Sequence, residues 1–126
     1  MLDHERLRVY QLAIEVVARI LKINAQLPKG YAKLTDQLWR SSTSTPANIA
    51  EGVGKRSFAD RRVYYDHARG SAFETAAHLD IVRMLRCVAD DEIDRAKADL
   101  EEVVRMLSVL VRREPPPAAG GAGAAG

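Results

Sequence analysis

The segment from Gln37 to Gly52 reads QLWRSSTSTPANIAEG, and the fold depends on how it is interpreted. Leu38 and Ile49 are spaced as on one helix face, but five hydroxyl side chains and then Pro46 lie between them. Proline has no amide donor and strains against the carbonyl four residues earlier, which costs about 3 kcal/mol in a helix interior. The segment therefore predicts either two helices, with Thr45 capping the second, or one helix kinked at Pro46. We favour the kinked helix, in which nearby hydroxyl groups bond the freed carbonyl.

The segment before it predicts a long first helix, from about Asp3 to Gln26. Apolar residues recur there at alternating steps of three and four on two adjoining faces. The first stripe is Leu7, Tyr10, Ile14, Val17 and Leu21, and the second is Val9, Ala13, Val16, Ile20 and Ile23. Two apolar stripes need two surfaces to cover them. One stripe is therefore expected in the core, and the other is a candidate subunit contact.

Capping residues predict the ends of helices 2 and 3. Thr35 is a candidate N-cap for helix 2, which should end at Gly52 or Gly54. The sequence Ser57-Phe58-Ala59-Asp60 has the form of a capping box and should begin helix 3. That helix is expected to continue to about Val88.

Gly70 falls near the middle of helix 3. A glycine in a helix interior costs about 1 kcal/mol relative to alanine. A compensating reason is therefore expected, and the close approach of a neighbouring helix is the most direct one.

A fourth amphipathic segment begins at Asp90 or Asp91 and carries an apolar stripe from Ile93 to Val111. Its acidic start and basic end match the helix dipole. Residues 114–126 read EPPPAAGGAGAAG, a low-complexity tail expected to be disordered. Because strand-like alternation is absent from the sequence, we predict an all-α fold over residues 1–113. Four long helices with short connections favour an antiparallel up-down four-helix bundle with a proline-kinked second helix.

Composition narrows the classes of function. The 126 residues suit one domain, and 19 basic against 17 acidic side chains give a net charge of only +2, which by itself does not indicate a nucleic-acid partner. The single cysteine, Cys87, excludes an internal disulfide and fits a reducing compartment. The sequence has no apolar run long enough to cross a membrane and no signal-peptide pattern, so we expect a cytoplasmic protein without a membrane partner.

Catalytic patterns are weak. His67, Glu74 and His78 share one helix face, but the other helices offer few inward carboxylates, so no metal site and no cofactor are expected. The spacing from Arg62 to His67 fits the Arg-apolar-x-x-x-His motif of small helical ribonucleases of the HEPN type. A motif this short also arises by chance. We therefore predict that the protein is not an enzyme.

Between helices 2 and 3 the sequence turns basic. The basic residues there are Lys55, Arg56, Arg61, Arg62 and Arg69. They alternate with Phe58, Tyr64 and Tyr65, whose rings could stack on bases, so this stretch is the candidate nucleic-acid surface. The alternative is an ordinary solvated helix start with its aromatic rings facing the core.

Two stretches carry a family resemblance. Residues 37–52, followed by Ala68-Arg69-Gly70-Ser71-Ala72-Phe73-Glu74, closely resemble the four-helix-bundle proteins encoded in bacterial 23S rRNA intervening sequences. That family is itself similar to the accessory variability proteins of diversity-generating retroelements. The resemblance covers roughly residues 7 to 112. It implies a continuous but kinked helix 2, an antiparallel bundle, a homopentameric ring and no established enzymatic activity.

The resemblance also marks individual positions as motif residues with structural roles. In this sequence they are Gln37, Arg40, Ser44, Pro46, Asn48, Glu51, Gly52, Gly70, Ser71 and Glu74. If Asn48 and Glu51 are buried, they need partners such as Arg40 or Ser71, because unpaired polar burial is costly. His67 departs from the family, whose members often carry an apolar residue there. Trp39, off the polar stripe, is a candidate intersubunit contact.

Three hypotheses about function follow. The first is a non-enzymatic, ring-forming bundle that binds RNA, DNA or a nucleic-acid-handling protein, as the retroelement relatives imply. The second is a purely structural oligomer. The third is a metal-independent ribonuclease that uses Arg62 and His67.

Overall fold

The computed structural model describes residues 1–113, and these form four α-helices and no strand. The helices are α1 (Arg8–Asn24), α2 (Ala32–Val53), α3 (Phe58–Leu85) and α4 (Asp90–Arg113). Short 3-10 turns at Asp3–Arg6 and Lys29–Tyr31 precede α1 and α2. The predicted all-α, four-helix architecture is confirmed. The prediction of a disordered tail concerns residues 114–126, which lie outside the described residues.

The four helices close a ring of contacts, because each packs against its neighbours in the chain and α1 also packs against α4. Arg19 of α1 donates to Asp99 of α4 at 2.8 Å. Between α3 and α4, Arg83 donates to Asp94 at 2.6 Å and Arg69 donates to Ser108 at 2.9 Å. Residue numbers thus rise along α3 as those of their partners fall along α4. The hydrogen bond to Asp94 raises the pKa of Arg83 above its ordinary value.

The second of the two apolar stripes of α1 lies wholly in the core. The buried α1 residues include the whole second stripe, Val9, Ala13, Val16, Ile20 and Ile23. They pack in one cluster with residues such as Leu38, Leu79 and Val103 from the other helices. In the first stripe, Ile14 and Leu21 are 44% and 52% exposed, whereas Leu7 and Tyr10 are partly buried and pack against the core. None of the helices in the described part of the chain has the combined length and apolar character needed to cross a membrane.

Some helix ends differ from those that the sequence predicts. The first helix is divided, because Leu7 is extended between the 3-10 turn and α1. Thr35 is not an N-cap, because α2 begins three residues earlier and continues directly from the 3-10 turn. The Thr35 hydroxyl instead donates to the Tyr31 carbonyl at 3.2 Å. α3 ends before Val88, because Arg86 adopts a left-handed conformation with φ 60°.

Other predicted ends are confirmed. The Ser57 side chain accepts a hydrogen bond from the Asp60 amide at 3.1 Å and caps α3. α2 ends at Val53 with Gly54 as its C-cap, and α4 begins at Asp90.

Pro46 is buried inside α2, and the helix continues on both sides of it. The two-helix interpretation, with Thr45 as a cap, is therefore wrong. The hydroxyl groups of Thr43 and Thr45 bond other carbonyls of the helix than that of Ser42, which Pro46 leaves without its amide: Thr43 donates to the Trp39 carbonyl at 2.7 Å and Thr45 to the Ser41 carbonyl at 3.4 Å. These bonds fit polar side chains into a helix that packs tightly on its neighbour.

Candidate functional site

A seam of buried hydroxyl groups joins α2 to α3. Thr45 Oγ1 and Ser71 Oγ are 2.7 Å apart, and Thr75 Oγ1 lies 2.8 Å from Ser41 Oγ. Thr75 Oγ1 is also 2.8 Å from the Ser71 carbonyl, so this hydroxyl bridges both helices. All four side chains are buried. Because buried hydroxyl groups need partners, these bonds favour one register of α2 on α3.

Gly52 allows the same two helices to approach at the end of the seam. A Cβ atom at this position would lie 2.8 Å from Cε1 of Tyr65 and 3.2 Å from Cβ of Tyr64. Tyr65 is itself buried, so its ring has little room to move. Close helix packing therefore requires glycine at position 52.

Gly70 has no such role within this chain. A Cβ atom there would meet nothing within 4 Å, and the residue is exposed. The prediction of a close helix approach at Gly70 is wrong within the described residues. The close approach of a neighbouring helix occurs at Gly52 instead.

A polar cleft opens beside the seam, on the surface between α2 and α3. Its volume is about 240 Å³ and it is lined by Gln37, Arg40, Ser41, Ser44, Ser71 and Glu74. Five of these six residues belong to the motif positions that the family resemblance marks, and Ser41 is the sixth. The structure thus brings together residues that are more than 30 positions apart in the sequence. We call this the α2–α3 cleft and treat it as the candidate site.

The walls of the α2–α3 cleft carry polar groups that are free to bind a ligand. Among residues 1–113, the side chains of Gln37 and Arg40 have no hydrogen-bond or ion-pair partner. On the opposite wall, Glu74 Oε2 lies 3.3 Å from Nε2 of His78. The His78 ring is largely buried, and its Nδ1 atom lacks a partner in the described chain. A guanidinium group and a carboxylate therefore face the cleft without neutralising each other.

The floor of the α2–α3 cleft is held by the seam. Ser41 and Ser71 line the cleft and also form the seam bonds to Thr75 and Thr45. Ser44 Oγ accepts from Nδ2 of Asn48 at 2.9 Å. The hydroxyl groups of the floor are thus fixed by neighbours from both helices.

Two further motif residues lie beyond the cleft. Asn48 is half-buried and donates to the carbonyl and the hydroxyl of Ser44, both at 2.9 Å. Glu51 is exposed and lies 3.4 Å from Nζ of Lys55. The half-buried Asn48 thus finds its partners within its own turn rather than at Arg40 or Ser71, whereas the exposed Glu51 does not need a buried partner.

The five basic residues do not form one free patch. Lys55 pairs with Glu51 and lies 5.1 Å from the ring centre of Tyr64, while Nε of Arg61 donates to the Lys55 carbonyl at 2.7 Å. Arg69 donates to Ser108 across to α4. Arg56 and Arg62 are exposed and have no ion-pair partner in the described part of the chain. Of the predicted stacking rings, Tyr65 belongs to the core instead.

Arg62 and His67 are both exposed residues of α3. Five helical residues at about 100° each separate two side chains by roughly 140° around the axis. The His67 ring contacts Tyr64 edge-on at 5.9 Å between ring centres. This separation is inherent in the spacing of the motif, so the ribonuclease pairing of Arg62 with His67 stays a hypothesis. Across residues 1–113, no group of three or more His, Cys, Asp or Glu side chains is arranged to hold a metal ion.

Two apolar surfaces were only partly visible in the sequence. The first, which we call the α1–α2 patch, comprises three exposed apolar residues of neighbouring helices, Ile14 and Leu21 of α1 and Trp39 of α2, each more than 40% exposed. The second, the α3–α4 groove, is about 310 Å³ in volume and is lined by Ala72, Phe73, Ala76, Lys97, Leu100, Glu101, Val104 and Arg105. Phe73 is 56% exposed. The outer stripe of α1 signalled the patch, whereas α3 and α4 form the groove only when they are paired.

Comparison with known proteins identifies the family. The sequence pattern of the 23S rRNA-intervening sequence proteins matches residues 5–109. The chain belongs to this family. The resemblance stated from residues 37–52 and 68–74 is confirmed.

A solved structure shares the fold. It comes from Bacteroides thetaiotaomicron and is described as a protein of unknown function from the S23 ribosomal protein family. The two chains are 24% identical, with a TM-score of 0.74 over 82% of this chain and 98% of the other. At this level of identity the likeness concerns the fold. Among curated proteins, none matches this sequence.

Proposed function

We propose that this protein is a non-enzymatic, cytoplasmic scaffold that assembles into a homopentameric ring and binds RNA or DNA. The observation that carries the assembly is the pair of apolar surfaces, the α1–α2 patch and the α3–α4 groove. Because the helices pack in the order α1, α2, α3, α4 and back to α1, these two helix pairs lie on opposite sides of the bundle. A ring needs two different surfaces that meet head to tail, so this arrangement supports ring closure. The number five follows from the family resemblance.

We further infer an antiparallel up-down bundle with a kink at Pro46. The pairing of Ser41 with Thr75 and of Thr45 with Ser71 supports the antiparallel direction of α2 and α3. A proline inside a continuous helix removes one backbone hydrogen bond, which supports a bend there.

The nucleic-acid part of the proposal depends on Arg56 and Arg62. They are the two residues of the basic stretch that remain exposed and without an ion-pair partner in the described chain. Binding through so few cations should be weak and should decrease as salt rises, since each phosphate contact releases counterions. A nucleic-acid-handling protein is an alternative partner for the same positive charge.

Light scattering coupled to gel filtration tests the ring. The wild type should elute as a pentamer, and replacing Phe73 by Ser should shift it toward monomer. Val63→Ser is the matched control, because Val63 is also an exposed apolar residue of α3 but lies outside the groove and the patch. A monomeric wild type would refute the proposed assembly.

An RNA titration at several salt concentrations tests the binding. Removing the guanidinium groups of Arg56 and Arg62 together should flatten the slope of log K against log salt by about 1.4 for single strands. Arg95→Ala is the control, because Arg95 is exposed but lies on α4 beside Asp91. If the wild type fails to bind RNA or DNA at low salt, the structural-oligomer hypothesis is favoured instead.

A further inference from the structure

The α2–α3 cleft presents complementary hydrogen-bonding groups on its two walls. Arg40 offers a guanidinium fork and Gln37 an amide, while Glu74 offers a carboxylate that accepts only. Arg40 has no carboxylate within 4.0 Å in the described chain, so Glu74 does not quench its charge. A ligand that fits both walls must carry neighbouring acceptors on one edge and neighbouring donors on another.

Among the nucleic-acid bases, guanine carries both edges. Its O6 and N7 atoms accept two bonds from one guanidinium group, and its N1–H and N2–H groups can donate to one carboxylate. Adenine and cytosine present an amino group beside an acceptor nitrogen on their pairing edge, and uracil presents a single donor between two acceptors. A carboxylate at Glu74 would therefore disfavour the other three bases.

The size and stiffness of the cleft fit one heterocycle. Its volume of about 240 Å³ corresponds to roughly eight water molecules at about 30 Å³ each. Ser41 and Ser71 are fixed by the seam, so the floor is organised before a ligand arrives. His78 contacts one oxygen of Glu74 and so holds the carboxylate in position, while both carboxylate oxygens keep capacity to accept.

We propose that the α2–α3 cleft binds an unpaired guanine base, with Arg40 on its O6/N7 edge and Glu74 on its N1/N2 edge. The inference rests on the proposed binding of nucleic acid, to which it adds base selectivity. Arg56 and Arg62 supply contacts to phosphate that do not distinguish sequence, whereas the cleft reads one extruded base.

Chemical-shift titration of the full-length protein with mononucleotides tests the site. Guanosine 5′-monophosphate should bind about tenfold more tightly than adenosine 5′-monophosphate, the scale of one good bidentate contact. Inosine 5′-monophosphate, which lacks the 2-amino group, should fall between them. The perturbed amides should lie around Arg40, Ser44 and Glu74. Equal affinity for the three nucleotides would overturn the proposal.

Two variants separate recognition from folding. Glu74→Gln should abolish the preference for guanosine monophosphate, and Arg40→Lys should weaken its binding about tenfold while keeping the charge. Both side chains are exposed, so circular dichroism should show an unchanged fold. Glu15→Gln is the control, because Glu15 is an exposed acid of α1 that lines neither the α2–α3 cleft nor the α3–α4 groove. A guanine preference that survives Glu74→Gln would overturn the assignment.

RNA hairpins that differ only by G or A at one loop position distinguish this proposal from the broader one. Equal binding of both hairpins would refute the guanine site while RNA binding stands. Selective binding of guanosine monophosphate without binding of either hairpin would refute RNA binding while the cleft assignment stands.

Discussion

Gly52 and Gly70 provide a paired test of the packing between α2 and α3, because both are helical glycines with opposite surroundings. In Gly52→Ala the new Cβ atom would lie 2.8 Å from Cε1 and 3.0 Å from Cδ1 of Tyr65. These are ring atoms of a side chain that is only 6% exposed. In Gly70→Ala the same atom would enter open space. The two variants therefore share the change in backbone propensity and differ in the clash.

The two substitutions should change the free energy of unfolding in opposite directions. Gly70→Ala should stabilise the protein by about 0.5–1 kcal/mol, the usual gain from replacing glycine in a helix. Overpacking a tight interface costs about 1–3 kcal/mol. The same propensity gain offsets part of this cost in Gly52→Ala, which leaves a net loss of up to about 2.5 kcal/mol. Because the propensity gain cancels, the difference between the two variants is the overpacking cost alone, roughly 1–3 kcal/mol.

Thermal and denaturant unfolding followed by circular dichroism measure this difference. At about 4 °C per kcal/mol for a domain of this size, the two midpoints should differ by roughly 4–12 °C. All samples must have the same protein concentration, because self-association adds to apparent stability. In a Tyr65→Leu background the penalty at position 52 should largely disappear. If Gly52→Ala were as stable as Gly70→Ala, the argument for close approach at Gly52 would be refuted.

Three further substitutions have expected effects on unfolding. Ser57→Ala removes the side chain that accepts the hydrogen bond of the Asp60 amide, and should destabilise the protein by about 1 kcal/mol in urea unfolding. An unchanged urea midpoint would mean that the cap contributes nothing to stability. Thr75→Val leaves the Ser41 hydroxyl without its partner across the seam and should lower the free energy of unfolding by about 1–2 kcal/mol. Thr43→Val, at a partly exposed position, should cost less, and equal losses would argue against the seam. Arg86 adopts a left-handed conformation that glycine tolerates better, so Arg86→Gly should increase the free energy of unfolding by up to about 1 kcal/mol. The melting temperature should rise accordingly, and a lower melting temperature would contradict this reasoning.

Local signals in the sequence predicted the elements well. The cap at Ser57 and the inner stripe of α1 were readable because each depends on residues within one or two turns. The failure at Thr35 also has a local cause. A 3-10 turn starts the helix early, and Thr35 then bonds a carbonyl of the preceding turn instead of capping.

Features that depend on a partner helix were not readable. The cost of a mid-helix glycine at position 70 suggested a close contact, yet the contact lies at Gly52, since only the register of α3 on α2 decides which glycine faces a ring. The basic stretch appeared as one patch in the sequence, but Arg61 and Arg69 bond the backbone and α4. The α2–α3 cleft could have been suggested by the spacing of Gln37, Arg40 and Ser44 on α2. Its opposite wall required the register with Glu74.

The seam and the α2–α3 cleft share two residues, Ser41 and Ser71. Ser41 and Ser71 bond across the interface through one set of atoms and form the cleft floor with the same side chains. A change that loosens the seam should therefore alter the cleft, even where the altered residue lies outside the cleft lining, as Thr75 does. Small hydroxyl side chains can serve both the seam and the cleft, whereas larger apolar groups would bury more surface but could not line a polar cleft. Apolar residues would hold the two helices together, but they would leave Arg40 and Glu74 on walls without a polar floor between them.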